Sequence, residues 1–123
     1  MAEGIAKKIL TKNIIIKSAG VESHGINKDA IKSMHEISIS IVDQKSKIVG
    51  PNDFNNFDLI ITLCGNAKDR CPTVHSKNTH IHWDIEDPAT FKGNIEDTKN
   101  KYAEVRDVIF KNIQDLKNTL ENE

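Results

Sequence analysis

Three apolar runs, separated by segments with helical periodicity, constrain the fold of this sequence more than any other feature. NIIIKSAG (13–20), LIITLCG (59–65) and THIHWDI (79–85) are rich in β-branched residues, and each predicts a strand. Continuous apolar runs of this kind are typical of parallel sheets, whose strands are buried on both faces. A further short strand is predicted at 38–41.

Helical patterns occupy much of the remaining sequence. Apolar residues at helical spacing predict helices over 2–10 and 27–37, with Asn27 as the N-cap of the second. A short helical turn is predicted at 53–58, and a long helix from Tyr102 to about Leu120. Strands that alternate with amphipathic helices indicate an α/β fold, an open parallel sheet with helices on both faces.

Functional sites in such sheets lie beyond the carboxyl ends of the strands. We therefore expect Gly20, Cys64 and the residues after Ile85 to converge on one edge of the sheet.

Length and charge exclude several classes of protein. A chain of 123 residues predicts one domain, 1–123, and a formal charge of −1 argues against a nucleic-acid or membrane-surface protein. No apolar run reaches the roughly 20 residues of a membrane helix, and the N-terminus does not resemble a signal peptide. The expected compartment is the cytoplasm, where paired thiols are more often catalytic or metal-binding than structural.

The two cysteines, Cys64 and Cys71, are the main candidates for chemistry. A zinc site needs three or four ligands and is disfavoured, because the five histidines are scattered. The nearby cations of Lys68 and Arg70 would favour a thiolate, which is compatible with a redox pair. Two buried, inert thiols explain the same spacing, so the residues alone leave both interpretations open.

Three further patterns are weaker. Cys64 and Arg70 have the spacing of a phosphatase phosphate loop. Asp69, however, would lie where the anion binds, and Pro72 would interrupt the helix that should follow the loop. His80 and His82 share one face of a predicted strand and lack a third metal ligand. The charged segment 99–106 is expected to be a solvated helix surface.

Four segments together resemble a known family. MAEGIAKKIL, KSAGVESHGIN, LIITLCGNAKDRCP and HWDIEDPA are similar to the thioredoxin-coupled arsenate reductases, which have the low-molecular-weight tyrosine phosphatase fold. The resemblance runs from Met1 through the last helix. The acidic motif continues as DPA rather than the DPYY of the tyrosine phosphatases, which favours the reductase branch.

The resemblance implies a relay of three cysteines. A first cysteine in an N-terminal phosphate loop attacks arsenate, and Cys64 then attacks that cysteine and releases arsenite. Cys71 attacks Cys64 in turn, and thioredoxin, the external reductant, reduces the resulting Cys64–Cys71 disulfide. Asp87 matches the general acid, whereas without the resemblance an ordinary turn acid before Pro88 is the favoured interpretation. No cofactor is implied.

The sequence departs from the family at its start. The first strand and the phosphate loop, with its cysteine and arginine, have no counterpart in the 123 residues. We expect the chain as written to lack arsenate reductase activity and its sheet to lack a central strand. A fragment or a misassigned start codon is favoured over a true remnant.

A cation site of some relatives is also altered. Glu3 and Ser18 match two of its positions, while Lys47 replaces the third, acidic position. An ammonium group there would take the place of potassium, so no metal site and no potassium dependence are expected.

Two other functions remain open. A phosphatase of the same fold would hydrolyse a phosphomonoester without using Cys71. A non-catalytic remnant would oxidise Cys64 and Cys71 reversibly, as a redox sensor, without arsenate turnover.

Overall fold

The computed structural model describes residues 1–10, 14–19, 27–44, 47–48, 53–63 and 79–121. These residues form three helices, two strands and two short 3₁₀ turns. In chain order they are α1 (Ala2–Ile9), α2 (Lys28–His35), a 3₁₀ turn (Asp53–Asn56), β1 (Leu59–Leu63), β2 (Thr79–Trp83), a second 3₁₀ turn (Pro88–Thr90) and α3 (Ile95–Glu121).

The two strands pair in parallel, which confirms the predicted sheet type. Their register runs from Leu59 opposite Thr79 to Leu63 opposite Trp83. β2 ends two residues earlier than predicted, because the Ile85 N–H donates to the Trp83 carbonyl at 2.9 Å and turns the chain out of the ladder. Residues 64–65 of the first predicted strand lie outside the described residues.

The strand predicted at 13–20 is wrong over residues 14–19, which form no ladder. Ile15 is 77% exposed and Ile14 43%. A strand exists through hydrogen bonds to a neighbouring strand, and the part of the chain that the structure describes offers none beside this segment. A high β propensity is not enough without that partner.

The short strand predicted at 38–41 is also wrong, because the segment is the C-terminal cap of α2. The Ile39 N–H donates to the Met34 carbonyl at 3.0 Å, and the Ser38 N–H donates to the His35 carbonyl at 2.9 Å. These two bonds form a Schellman motif, and Ser38 takes the left-handed conformation that the motif requires, with φ of 63°. Ile39 and Met34 are both buried, so the apolar contact typical of the motif is available.

The third helix begins seven residues before the predicted start. Asn94 provides the cap: its side-chain oxygen accepts from the Asp97 N–H at 2.7 Å, and its carbonyl accepts from Thr98. Ile95 in the first turn is 92% exposed. The first turns have no apolar face, so hydrophobic periodicity does not reveal them.

The helices pack around α3, which contacts both α1 and α2. Buried residues of the helices and of the segments beside them form one apolar cluster: Ile5, Ala6, Ile9, Leu10, Met34, Ile39, Ile41, Ile85, Val105, Ile109 and Ile113. Gly4 allows the chain after α2 to approach α1 closely, since a Cβ at this position would stand 2.6 Å from Ile41 Cγ2. Trp83 of β2 packs against the cluster and joins the sheet to the helical layer.

No helix among the described residues combines the length and the apolar character needed to cross a bilayer.

Candidate functional site

Asp87 lies on the loop that leaves the carboxyl end of β2. Its Oδ1 accepts the Ala89 N–H at 2.9 Å and so caps the 3₁₀ turn that Pro88 begins. Ile85, two residues earlier, is 7% exposed and belongs to the helical core. The loop is therefore fixed on both sides of Asp87, whose own side chain is exposed. This is the edge at which the sequence predicts a site.

The same loop is attached to α3 by Lys101. The Lys101 Nζ lies 2.7 Å from Glu86 Oε2 and 6.0 Å from the centre of the Phe91 ring. The hydrogen bond to Glu86 raises the pKa of Lys101 above its ordinary value. The Lys101 ammonium group thus interacts with Glu86 and Phe91, the residues on either side of the turn that Asp87 caps.

Tyr102, the next residue of α3, is buried behind the loop with 3% of its surface exposed. Burial, together with the negative charges of Asp29 and Asp87, raises the pKa of its phenol to about 12. The phenol therefore experiences the charge of the candidate acid. The sequence identified Tyr102 only as the predicted start of a helix.

The candidate thiols, Cys64 and Cys71, lie outside the described residues, as does Gly20. In the sequence, Cys64 directly follows Leu63, the last residue of β1. Since β1 and β2 are parallel, their carboxyl ends are at the same edge of the sheet, the edge from which the Asp87 loop departs.

Glu3 and Ser18, the two matches to the cation site, are in contact. The Ser18 hydroxyl donates to Glu3 Oε1 at 2.6 Å, and the Lys7 ammonium lies 2.9 Å from Glu3 Oε2. Burial alone would raise the pKa of Glu3, but the hydrogen bonds from Ser18 and Lys7 outweigh it, so the pKa lies below its ordinary value. The role expected of Lys47 is wrong. Lys47 is exposed, and the described ion pair of Glu3 is with Lys7. The lack of potassium dependence stays a prediction.

His80 and His82 lie on one face of β2, as predicted, and both contact Thr62 of β1. The Thr62 Oγ1 is 2.9 Å from His80 Nε2 and 2.7 Å from His82 Nδ1. Among the described residues, no group of three or more His, Cys, Asp or Glu side chains is arranged to hold a metal ion.

The expectation that 99–106 is a solvated surface is wrong for Arg106, which is 8% exposed. Its Nη1 donates to the Ser33 carbonyl at 2.8 Å and to Glu36 Oε2 at 3.0 Å, so Arg106 joins α3 to the end of α2. A guanidinium group provides the several donors that this position needs. An arginine inside a charged run gives no sequence signal that distinguishes it from its solvated neighbours.

The chain matches one protein family along its whole length. The family model described as "Low molecular weight phosphotyrosine protein phosphatase" matches residues 1–123. A protein of Oceanobacillus iheyensis named arsenate reductase is 43% identical over 109 residues, which are 89% of this chain and 78% of that protein. An arsenate reductase of Bacillus subtilis (strain 168) is 40% identical over 119 residues, which are 97% of this chain and 86% of that protein.

Solved structures agree. An arsenate reductase in the reduced state superimposes with a TM-score of 0.73 and 27% identity, covering 96% of this chain and 86% of the other. An arsenate reductase in the phosphate-binding state gives a TM-score of 0.74 and 25% identity over the same shares. Sequence and structure thus confirm the fold class and the family resemblance. The chain belongs to the low-molecular-weight phosphotyrosine protein phosphatase family, within the branch whose members are named arsenate reductases.

Proposed function

We propose that this chain, as a single domain over 1–123, has the thiol–disulfide relay of an arsenate reductase-type oxidoreductase. The observation that carries the proposal is the 40–43% identity to proteins named arsenate reductase over most of the chain. The Cys64-x6-Cys71 spacing and the DPA motif that begins at Asp87 support the reductase rather than the phosphatase. The proposed compartment is the cytoplasm, where a thioredoxin-type dithiol is kept reduced.

Cys64 and Cys71 are proposed to carry the electrons. A nucleophilic cysteine first bonds to arsenate and displaces an oxygen, which Asp87 protonates as it departs. The Cys64 thiolate attacks the sulfur of that cysteine, so a disulfide forms and arsenic leaves as arsenite, two electrons richer. The Cys71 thiolate then attacks Cys64, which frees the first cysteine and leaves a Cys64–Cys71 disulfide. Thioredoxin gives two electrons to that disulfide and closes the cycle.

The geometry around Asp87 supports its role as the acid. The carboxyl group is exposed beyond the strand ends, while Ile85 is fixed in the core and Glu86 is paired with Lys101. A general acid must be held in place and also be within reach of the departing oxygen. The Ala89 N–H donates to Asp87 Oδ1 at 2.9 Å and holds the carboxyl group at the start of the 3₁₀ turn.

The first step needs a nucleophile that the 123 residues do not supply, since they contain only the two relay cysteines. We therefore expect no arsenate-dependent consumption of reduced thioredoxin by the 123-residue chain. Turnover is expected once a strand and phosphate loop from a relative, with its cysteine and arginine, are fused ahead of Met1. Steady turnover by the 123-residue chain would refute the assignment of the first step to a cysteine other than Cys64 and Cys71.

The decisive experiment compares variants in the extended protein. Cys71→Ser should abolish turnover with thioredoxin and allow one arsenite per protein, while Asp87→Asn should slow arsenate attack by about 10²–10⁴-fold. Phosphomonoester hydrolysis that is unaffected by Cys71→Ser would indicate a phosphatase instead. Reversible Cys64–Cys71 oxidation, detected by mass spectrometry, without any arsenate turnover would indicate a redox sensor.

A further inference from the structure

The outer face of the sheet carries two imidazoles that the proposed reductase does not use. Side chains alternate along a strand, so His80 and His82 share the face of β2 opposite Trp83, which packs against the helical core. Both imidazoles are exposed. Thr62 of β1 lies opposite His82, contacts both rings and is itself 6% exposed.

The three side chains meet at one oxygen. His80 Nε2 lies 2.9 Å and His82 Nδ1 lies 2.7 Å from Thr62 Oγ1. The hydroxyl has one hydrogen and can donate it to only one ring, so the other neutral ring must donate its own N–H to the oxygen. The tautomers of the two histidines are thus coupled through Thr62, and one of the two inward nitrogens presents a lone pair.

These distances also match the edges of a metal coordination sphere. Two ligands bound at about 2.0–2.1 Å and separated by a right angle stand about 2.9 Å apart, whereas tetrahedral ligands stand about 3.4 Å apart. The two observed distances, 2.9 and 2.7 Å, are those of hydrogen bonds, and they hold the three polar atoms close enough together to bind one ion at right angles. Imidazole nitrogen with oxygen ligands at right angles is the environment preferred by Ni²⁺ and Cu²⁺ rather than by structural zinc.

We propose that His80 and His82, with the Thr62 hydroxyl as a third donor, form a surface binding site for a divalent transition-metal ion of the Ni²⁺ or Cu²⁺ type. Binding removes the inward N–H proton by a change of tautomer, so that both nitrogens present lone pairs to the ion. All three ligands are neutral, and water completes the coordination sphere on the exposed side. The site has two imidazoles and no carboxylate or thiolate, which agrees with the lack of a larger ligand cluster in the described residues.

The test is calorimetric titration of the 123-residue chain with Ni²⁺ in a non-chelating buffer. We expect one ion per chain, and at least about tenfold weaker binding in His80→Ala and in His82→Ala. His35→Ala is the matched control: His35 is an exposed histidine of α2, and its removal should leave the affinity unchanged. No Ni²⁺ binding by the wild type, or equal loss in the control, would overturn the proposal.

Two further variants separate coordination from folding. Thr62→Ser keeps the hydroxyl and should bind as the wild type does, whereas Thr62→Val keeps the shape and should bind about tenfold more weakly. His82→Gln retains a hydrogen-bonding side chain beside Thr62 but is a poor ligand, so a folded His82→Gln variant that still binds Ni²⁺ would refute the site.

The cysteines need a separate control, because thiolates also bind Ni²⁺. A Cys64→Ser/Cys71→Ser variant should keep the histidine-dependent affinity. Disappearance of all binding in that variant would assign the ion to the thiols and overturn the proposal. The titration does not measure arsenate turnover, so its result tests the metal site independently of the proposed function.

Discussion

Replacing Arg106 by methionine tests the contact that joins α3 to α2. Methionine keeps most of the aliphatic stem but removes the guanidinium group, whose Nη1 reaches the Ser33 carbonyl and Glu36. Ser33 is 3% exposed, so its carbonyl loses a charged donor at a place that water does not easily reach. The Arg106 Nε also donates to Asp107 Oδ1 at 2.9 Å. The side chains of Glu36 and Asp107, however, are 38% and 66% exposed and can be solvated again.

The expected magnitude follows from these exposures. Loss of the charged hydrogen bond to the buried carbonyl costs about 1.5–3 kcal/mol, while each partly exposed ion pair contributes about 0–1 kcal/mol. Arg106→Met should therefore lower the free energy of unfolding by about 2–3 kcal/mol. Arg106→Lys should lower it by less, because an ammonium group keeps the charge but cannot reach all the same acceptors.

Urea unfolding followed by fluorescence of Trp83, the only tryptophan, measures the effect. With a slope of about 1–3 kcal/mol per molar urea, a loss of about 2–3 kcal/mol should lower the midpoint by roughly 0.7–3 M. Lys99→Met is the matched control. It also removes a cation of α3 that faces Glu36, but across 3.9 Å and with 70% exposure, so its cost should stay within about 0.5 kcal/mol. Equal destabilisation by the two variants would refute the buried role of Arg106.

Three further predictions follow from the described contacts. Ser38→Gly should raise the free energy of unfolding by about 0.5–1 kcal/mol, because glycine accepts φ of 63° without the Cβ penalty; a lower urea midpoint would contradict the assignment of the cap. Tyr102, the only tyrosine, should ionise near pH 12 in an ultraviolet absorbance titration, and Asp87→Asn should lower that midpoint. Since this pKa is raised on folding, its contribution to stability is complete below pH 10 and disappears as the pH rises towards 12; a midpoint near 10 in the folded protein would refute the burial. The pKa of Glu3 is lowered instead, so its contribution is present above its ordinary value of 4.5 and is lost on acidification. Unfolding measured across acidic pH should show the wild type converging with Glu3→Gln as the pH falls, and a constant difference would contradict the hydrogen bonds to Ser18 and Lys7.

The hydrophobic pattern correctly predicts the helices and strands that pack against, or pair with, another described element. Helices α1 and α2 and the paired strands β1 and β2 were predicted, and the Asn27 cap is confirmed by its bonds to the Asp29 and Ala30 N–H groups. The failures share a physical cause. Residues 14–19 have the composition of a strand but no neighbour among the described residues, and 38–41 form a cap whose hydrogen bonds depend on backbone geometry rather than on side-chain type.

The candidate site was predictable only in part. Asp87 stands at the expected edge because strand direction determines which residues leave the sheet there. Neither Lys101 nor Tyr102 could be assigned to the loop from sequence, because both belong to a helix whose register against the loop is set by tertiary packing. The Thr62 hydroxyl between His80 and His82 required the pairing of β1 with β2, which periodicity within one strand does not give.

The position of α3 has a consequence for synthesis on the ribosome. α1, α2 and the 3₁₀ turn after Asp87 all pack against this one helix, which is the last described element in chain order. Two helices of eight residues are not stable alone in water, and the apolar cluster that contains Ile5 and Met34 is incomplete until α3 emerges. We therefore expect the nascent chain to expose apolar surface until α3 has been synthesised. We expect the helical core to form only once this single helix is available.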